Sequence, residues 1–197
     1  MRYDAEHRGK TRETIVREAA AAIRARGPEG VGVAALMKRA GLTHGGFYAH
    51  FRSKDELVSE AIALMFAQAA ARFDRVLAAT DPRAALAGYV DFYLSKHHRD
   101  ARDSGCPVAA LSTDIGRLEP ASRERFGSGI GTLSGWLGEA LARLGAAEAG
   151  AAGASMLAEL VGALTLSRAV ADPDQSDLIL ERSRTAIRNR FGLEPSR

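Results

Sequence analysis

Apolar residues in this chain return three and four positions apart and seldom two. The longest such stripe is Val58, Ile62, Met65, Phe66, Ala69, Phe73, Val76 and Leu77, the repeat of a helix that buries one face. Stretches in which Val, Ile, Thr, Tyr or Phe alternate with polar residues, as half-buried strands require, are few. Alanine occurs 38 times and leucine 20 times, and both favour helix. A chain of 197 residues is long enough to bury a sizeable core in one or two parts. The pattern predicts an all-α protein and argues against a sheet-based enzyme.

Charge is distributed unevenly. Residues 1–54 carry 11 Lys/Arg against 5 Asp/Glu, and residues 55–197 carry 16 against 19. A basic head of this kind suits a polyanion, while the larger body has no such need. The start, Met1-Arg2-Tyr3-Asp4-Ala5-Glu6, has no apolar core of the sort a secretory signal uses. The apolar stretch Met156 to Leu166 contains Glu159 and is too short to span a bilayer. A single cysteine, Cys106, rules out an internal disulfide and a cysteine-rich zinc site. A cytoplasmic protein with no membrane partner, metal or cofactor is expected.

A first helix is predicted from about Thr11 to Arg26, with Ile15, Ala19, Ala22 and Ile23 on its inner face and Arg12, Arg17, Glu18 and Arg24 mostly elsewhere. Gly27-Pro28 ends it. Two short helices follow, about Val33 to Ala40 and Thr43 to His50, broken at Gly41. Ser53 and Glu56 have capping-box spacing and open a long helix from Lys54 to about Ala79. Asp81-Pro82 starts a helix to about His97, and Arg99 to Pro107 reads as a loop. Short turns from Val108 and helices at about 120–144, 147–171 and 174–191 complete nine or so helices. The organisation expected is a head at 1–53 and a body at 54–197.

Two short helices around a tight glycine turn form a helix-turn-helix, whose second helix enters the major groove of DNA. Downstream, Phe47-Tyr48-Ala49-His50-Phe51-Arg52-Ser53-Lys54-Asp55-Glu56-Leu57 resembles the F/L-Y-x-H-F-x-S-K-x-x-L signature of the tetracycline-repressor (TetR) family of transcriptional regulators. Upstream, Ala40-Gly41-Leu42-Thr43 resembles that family's A-G-V-S turn; the likeness covers about residues 8–57. It implies phosphate contacts from Tyr48, His50 and Lys54, and approach to base edges by Thr43, His44 and Gly45. Arg39 is grouped with these as a candidate DNA contact. A tyrosine hydroxyl and a lysine ammonium both suit phosphate oxygens. Two features depart from the family. Gly32 stands where Ser or Thr usually caps the second helix, and Gly45-Gly46 lowers helix propensity inside the third.

The resemblance further implies a homodimer on double-stranded operator DNA, with residues beyond about 58 forming a helical ligand-binding and dimerisation domain. Large residues that suit a pocket for a small-molecule effector are Phe66, Tyr89, Phe92 and Tyr93, with Phe126, Trp136 and Met156 further on; helical spacing equally suits them to ordinary core. Leu157, Leu160, Val161, Leu164, Ile187 and Phe191 are candidates for a bundle between subunits. Cys106 opens a short helix after Gly105. It is either a small apolar wall residue or a thiol that senses electrophiles, as in some regulators of the family with a similar Gly-Cys setting. No Ser/His/Asp or Cys/His set has catalytic spacing, and adjacent His97-His98 make a poor chelate. The function expected is a ligand-responsive repressor and not an enzyme. A helical binding module without DNA recognition, and a thiol-dependent enzyme using Cys106, remain alternatives.

Overall fold

A computed structural model describes residues 2–193, with side chains from Glu6 onward, and contains no strand among them. Nine α-helices follow one another: α1 (Arg2–Arg26), α2 (Val33–Arg39), α3 (Lys54–Leu77), α4 (Pro82–Tyr93), α5 (Lys96–Asp100), α6 (Pro107–Leu111), α7 (Pro120–Arg143), α8 (Ala149–Ala169) and α9 (Pro173–Arg190). A 3-10 segment, His44–Ala49, lies between α2 and α3. The third short helix expected from the sequence is therefore tighter than an α-helix. Gly45 and Gly46 favour helix least among non-proline residues, and the segment is short enough for i→i+3 bonds to suffice, as in Gly46 N–H to the Thr43 carbonyl (3.1 Å).

The head closes on a small core in which Ile15, Ala19, Ala22 and Ile23 of α1 are buried as expected, with Leu36, Met37, Phe47 and Phe51. Gly27 ends α1 with φ +74°, its N–H bonded to the Ile23 carbonyl at 2.8 Å. Gly41, also at φ +74°, ends α2. There the Leu42 N–H bonds the Met37 carbonyl at 2.8 Å and the Gly41 N–H bonds the Lys38 carbonyl at 3.1 Å, a complete Schellman closure. Both turns need the left-handed backbone that glycine adopts freely.

Helix α3 links head and body. Ser53 Oγ accepts from the Glu56 N–H (3.1 Å), and Glu56 Oε2 accepts from the Arg52 N–H (2.7 Å), so the return bond falls one residue before the cap. Val58, Ile62, Met65 and Phe73 of the predicted stripe are buried; Phe66, Ala69, Val76 and Leu77 pack half-buried around them. Helices α7 and α8 cross closely because Gly138 and Gly153 meet: a Cβ on Gly153 would lie 2.4 Å from the Gly138 nitrogen. Gly129 of α7 similarly receives the Phe66 ring.

Three expectations are corrected here. The helix after Asp81 stops at Tyr93, because Ser95 caps a separate short helix by accepting from the His98 N–H at 3.1 Å; part of the expected 99–107 loop is thus helical. Arg24, placed by its spacing on the outer face of α1, is 7 % exposed. Helix α8 runs 21 residues and is apolar enough by length and composition to cross a membrane, although the stretch Met156 to Leu166 alone is too short. It lies against α7 and α9, and its Glu159 pairs with Arg190 at 2.5 Å.

Candidate nucleic-acid interface and body crevice

The segment after the Gly41 turn presents its polar ends outward. Phe47 and Phe51 are buried and stack at 5.5 Å, which fixes the phase of this short segment. Thr43, His44 and Gly45 consequently face solvent. Tyr48, its ring edge-on to Phe47 at 5.3 Å, is 70 % exposed. A tyrosine so exposed adds little to the core. Lys54 begins α3, half-buried beside the exposed Arg52. Arg39 is exposed but held by Glu18 at 3.0 Å, so it reaches a phosphate only by leaving that partner. Gly32 caps α2 without a side-chain hydrogen bond, as its lack of a side chain dictates.

His50 is half-buried and its Nδ1 is buried without a hydrogen-bond partner. Burial, then the charges of Arg8 and Arg12, hold its pKa below the usual histidine value. Arg12 fixes this end of the segment to the rest of the head. It donates to the His50 carbonyl at 3.3 Å and to Glu56 at 3.2 Å, pairs with Glu60, and lies 4.5 Å over the Phe51 ring. Arg8 donates to the Ala49 carbonyl at 2.6 Å. The sequence pattern marks neither arginine, because their partners lie some 40 residues away.

A second site lies in the body, a crevice where α1, α3, α4 and the 96–106 segment converge. Tyr89, Phe92, Tyr93 and Cys106 line it together with Arg24, Met65, Gln68, Arg72, His98 and Leu133. The other pocket candidates do not reach it. Phe66 packs edge-on to Phe126 at 5.6 Å, Trp136 stacks on Phe73 at 5.9 Å, and Met156 is fully buried; helical spacing made them core. The cavity amounts to about 20 Å³, room for about one water.

His98 organises the crevice. Its Nε2 accepts from the Cys106 backbone N–H (3.0 Å), so its Nδ1–H donates to the Tyr93 carbonyl (2.8 Å). Burial pushes its pKa down to about 4, leaving a neutral ring with both nitrogens engaged. Tyr93 is 3 % exposed, and burial first, then the neighbouring thiol, pushes its pKa well above the usual phenol value. The hydroxyl stands beside Cys106 yet makes no bond of hydrogen-bond geometry. Cys106 occupies the N-cap position of α6 without a side-chain cap bond, at 7 % exposure. Sequence spacing signals part of this arrangement through Ser95-x-x-His98; Arg24, Gln68 and Arg72 carry no local signal.

Four of the six residues read as a subunit interface are occupied within the chain. Leu160, Leu164 and Ile187 are fully buried and Leu157 is 5 % exposed, because α8 and α9 spend those positions on packing within the chain. Val161 and Phe191 remain half-buried, and Leu166 and Leu178 are the exposed large apolar residues of these two helices.

Residues 15–61 match the family model described as "Bacterial regulatory proteins, tetR family". No curated protein matches the chain. Among solved structures, the reduced form of E. coli NemR is 23 % identical, with a TM-score of 0.80 over 91 % of this chain and 96 % of that one. A TetR-family transcriptional regulator from Agrobacterium tumefaciens is 22 % identical, with a TM-score of 0.78 over 91 % and 98 %. A TetR regulator from Legionella pneumophila is 18 % identical, with a TM-score of 0.79 over 90 % and 95 %. Identities this low establish a shared fold across nearly the whole chain.

Proposed function

Because residues 15–61 match the model of the tetR family of bacterial regulatory proteins, we propose that this chain is a member of that family and a homodimeric repressor that leaves its operator when a small molecule occupies the body crevice. One observation carries the reading: Thr43, His44, Gly45 and Tyr48 stand together in solvent on a segment clamped from behind by Phe47, Phe51 and Arg12. A rigid edge of short polar side chains beside a lysine-bearing helix start suits a DNA groove. Thr43 and His44 face base edges, while Tyr48, Lys54 and the His50 ring take phosphates. Arg39 joins them once released from Glu18. The head comprises residues 1–53 and the sensing body 54–197, which α3 opens.

Two copies are needed because half-sites lie about one helical turn apart, roughly 34–36 Å. Helix α8 supports the pairing: it is apolar enough on all sides to pass for a membrane span, yet one face only meets α7 and α9. Its open side carries Ala154, Ala158, Val161, Thr165 and Leu166, and α9 adds the exposed Leu178.

Helix α1 supports a route between the two sites. Near its C-terminus Arg24 bonds Gln68 at 2.7 Å and the Met65 carbonyl at 3.4 Å in the crevice wall; near its start Arg8 and Arg12 hold the carbonyls that close the DNA-facing segment. An occupant that shifts Arg24 tilts α1 against α3 and changes the separation of the two DNA-facing edges. The occupant must prefer the non-binding arrangement, since equal affinity for both shifts nothing. Footprinting on DNA flanking its own gene tests the reading: a protected palindrome supports it, and uniform digestion at saturating protein rejects it.

The place of Cys106 in the crevice wall supports a second use of the crevice, as a sensor of electrophiles through the thiol. Operator release by quinones, aldehydes or hypochlorite that persists unchanged in Cys106→Ser would remove it. A thiol enzyme has less support, because His98, the histidine beside Cys106, has no free nitrogen to act as base.

A further inference from the structure

The crevice is rich in cationic and donor groups, and its lining carries no carboxylate. Arg24 and Arg72 both line it. The contacts that Arg24 makes run to the Gln68 amide oxygen and the Met65 and Asp103 carbonyls. Arg72 reaches the Ser104 carbonyl at 3.2 Å and lies 5.5 Å over the Phe92 ring. These are neutral partners. A guanidinium that is 7 % exposed with no carboxylate in ion-pair contact and only the more distant Asp103 to offset it is a costly arrangement, and burial, reinforced by Arg72, lowers the Arg24 pKa to about 10, still protonated at neutral pH. Two donors in the same walls are unused: Arg24 Nε and the Tyr93 hydroxyl are both buried without a hydrogen-bond partner. Buried donors without acceptors are rare in folded proteins. The remaining walls are flat or apolar, made by Tyr89, Phe92, Met65 and Leu133.

We infer that the crevice binds a small aromatic carboxylate, its acid group set against Arg24 Nε, Arg72 and the Tyr93 hydroxyl and its ring between Phe92 and Tyr89. This rests on the crevice being the effector site and names the class of effector. A carboxylate supplies the contact ion pair that Arg24 lacks and accepts from both idle donors. With room for about one water, the closed crevice admits a ring only when Phe92, 38 % exposed, and Arg72 swing out together. Since Arg24 belongs to α1, the acid group pulls on the helix that carries the DNA-facing head.

Calorimetric titration of the full chain with benzoate and salicylate, each against its amide, tests the inference. At least one acid is expected to bind tenfold or more tightly than its amide. Arg24→Gln is expected to abolish the preference, and Arg72→Gln, at a half-buried position, to reduce it severalfold. Tyr93→Phe weakens the acid more than the amide. Equal binding of acid and amide, no binding by either series, or a preference that survives both arginine substitutions overturns it. Operator affinity measured in parallel separates the two readings. An amide that binds as well as its acid in a Tyr93-dependent manner and releases DNA defeats the anion but keeps the effector site. An acid that binds through Arg24 yet leaves DNA affinity unchanged upholds the anion and defeats the effector site.

Discussion

The DNA-facing edge and the body crevice are built on opposite plans. The edge draws its residues from one stretch of about a dozen positions, holds its apolar rings inward and gives its polar ends to solvent. The crevice gathers Arg24, Gln68, Arg72, Tyr93, His98 and Cys106 from five segments and draws them together. Water satisfies the first surface until a polyanion replaces it. No group among the described residues satisfies all of the second. A site that recognises a repeating polymer needs an exposed and rigid row of donors, whereas one that senses a small molecule gains from donors kept dry, where each bond is stronger.

The contrast predicts effects of different size and kind. Replacing Tyr48 and Lys54 together with alanine removes four phosphate contacts across a dimer, at about 1 kcal/mol each. Operator affinity should fall roughly a thousandfold, with thermal stability unchanged; fluorescence anisotropy on flanking DNA measures it. An unaltered affinity would break the assignment of the edge.

In the crevice the leading effect is one of stability. His98 has its pKa lowered from 6.5 to about 4, so between these values the unfolded chain takes up a proton that the native ring refuses. Its contribution is complete above pH 6.5 and is lost as pH falls toward 4, amounting to about 3 kcal/mol. Urea unfolding across that range should show the decline, and His98→Gln should flatten it from a lower starting stability.

Smaller effects concern the clamp and the glycines. Arg12→Ala should cost about 1 kcal/mol and raise amide exchange over residues 44–50, because the His50 carbonyl loses its donor. A Cβ added at Gly45 would meet no atom within 4 Å, so Gly45→Ala should stabilise the head by up to about 1 kcal/mol. If operator affinity rises with it, the segment is ordered by DNA; if affinity falls, the backbone approaches the groove closely.

Legibility in the sequence follows the same division. The helix-turn-helix is readable because Gly41, Phe47, Phe51, Ser53 and Glu56 act over a few residues each, and the capping and Schellman bonds they imply are present. Its 3-10 geometry is less so: glycine propensity signals a weak helix without saying which weaker form results. In the body, Tyr89, Phe92, Tyr93 and Cys106 are legible as a group, but periodicity assigns a large side chain to an inner face without saying whether that face meets a neighbour or a void. Phe66, Phe126, Trp136 and Met156 go to packing for that reason. Arg24 escapes notice because an arginine at the edge of an apolar stripe looks solvated until its neighbours from α3 and the 96–106 segment are placed around it. Leu160, Leu164 and Ile187 show the same limit, since one stripe cannot say whether its partner is in the same chain or another.

The most direct measurement follows binding of the purified chain to its flanking DNA across a salt series, with the stoichiometry of the complex determined at low salt. The account predicts saturable binding of chains in pairs to each site, with affinity falling steeply as salt rises and lost when Thr43, His44 and Tyr48 are replaced together. Binding that ignores salt, or that survives the triple replacement, contradicts it.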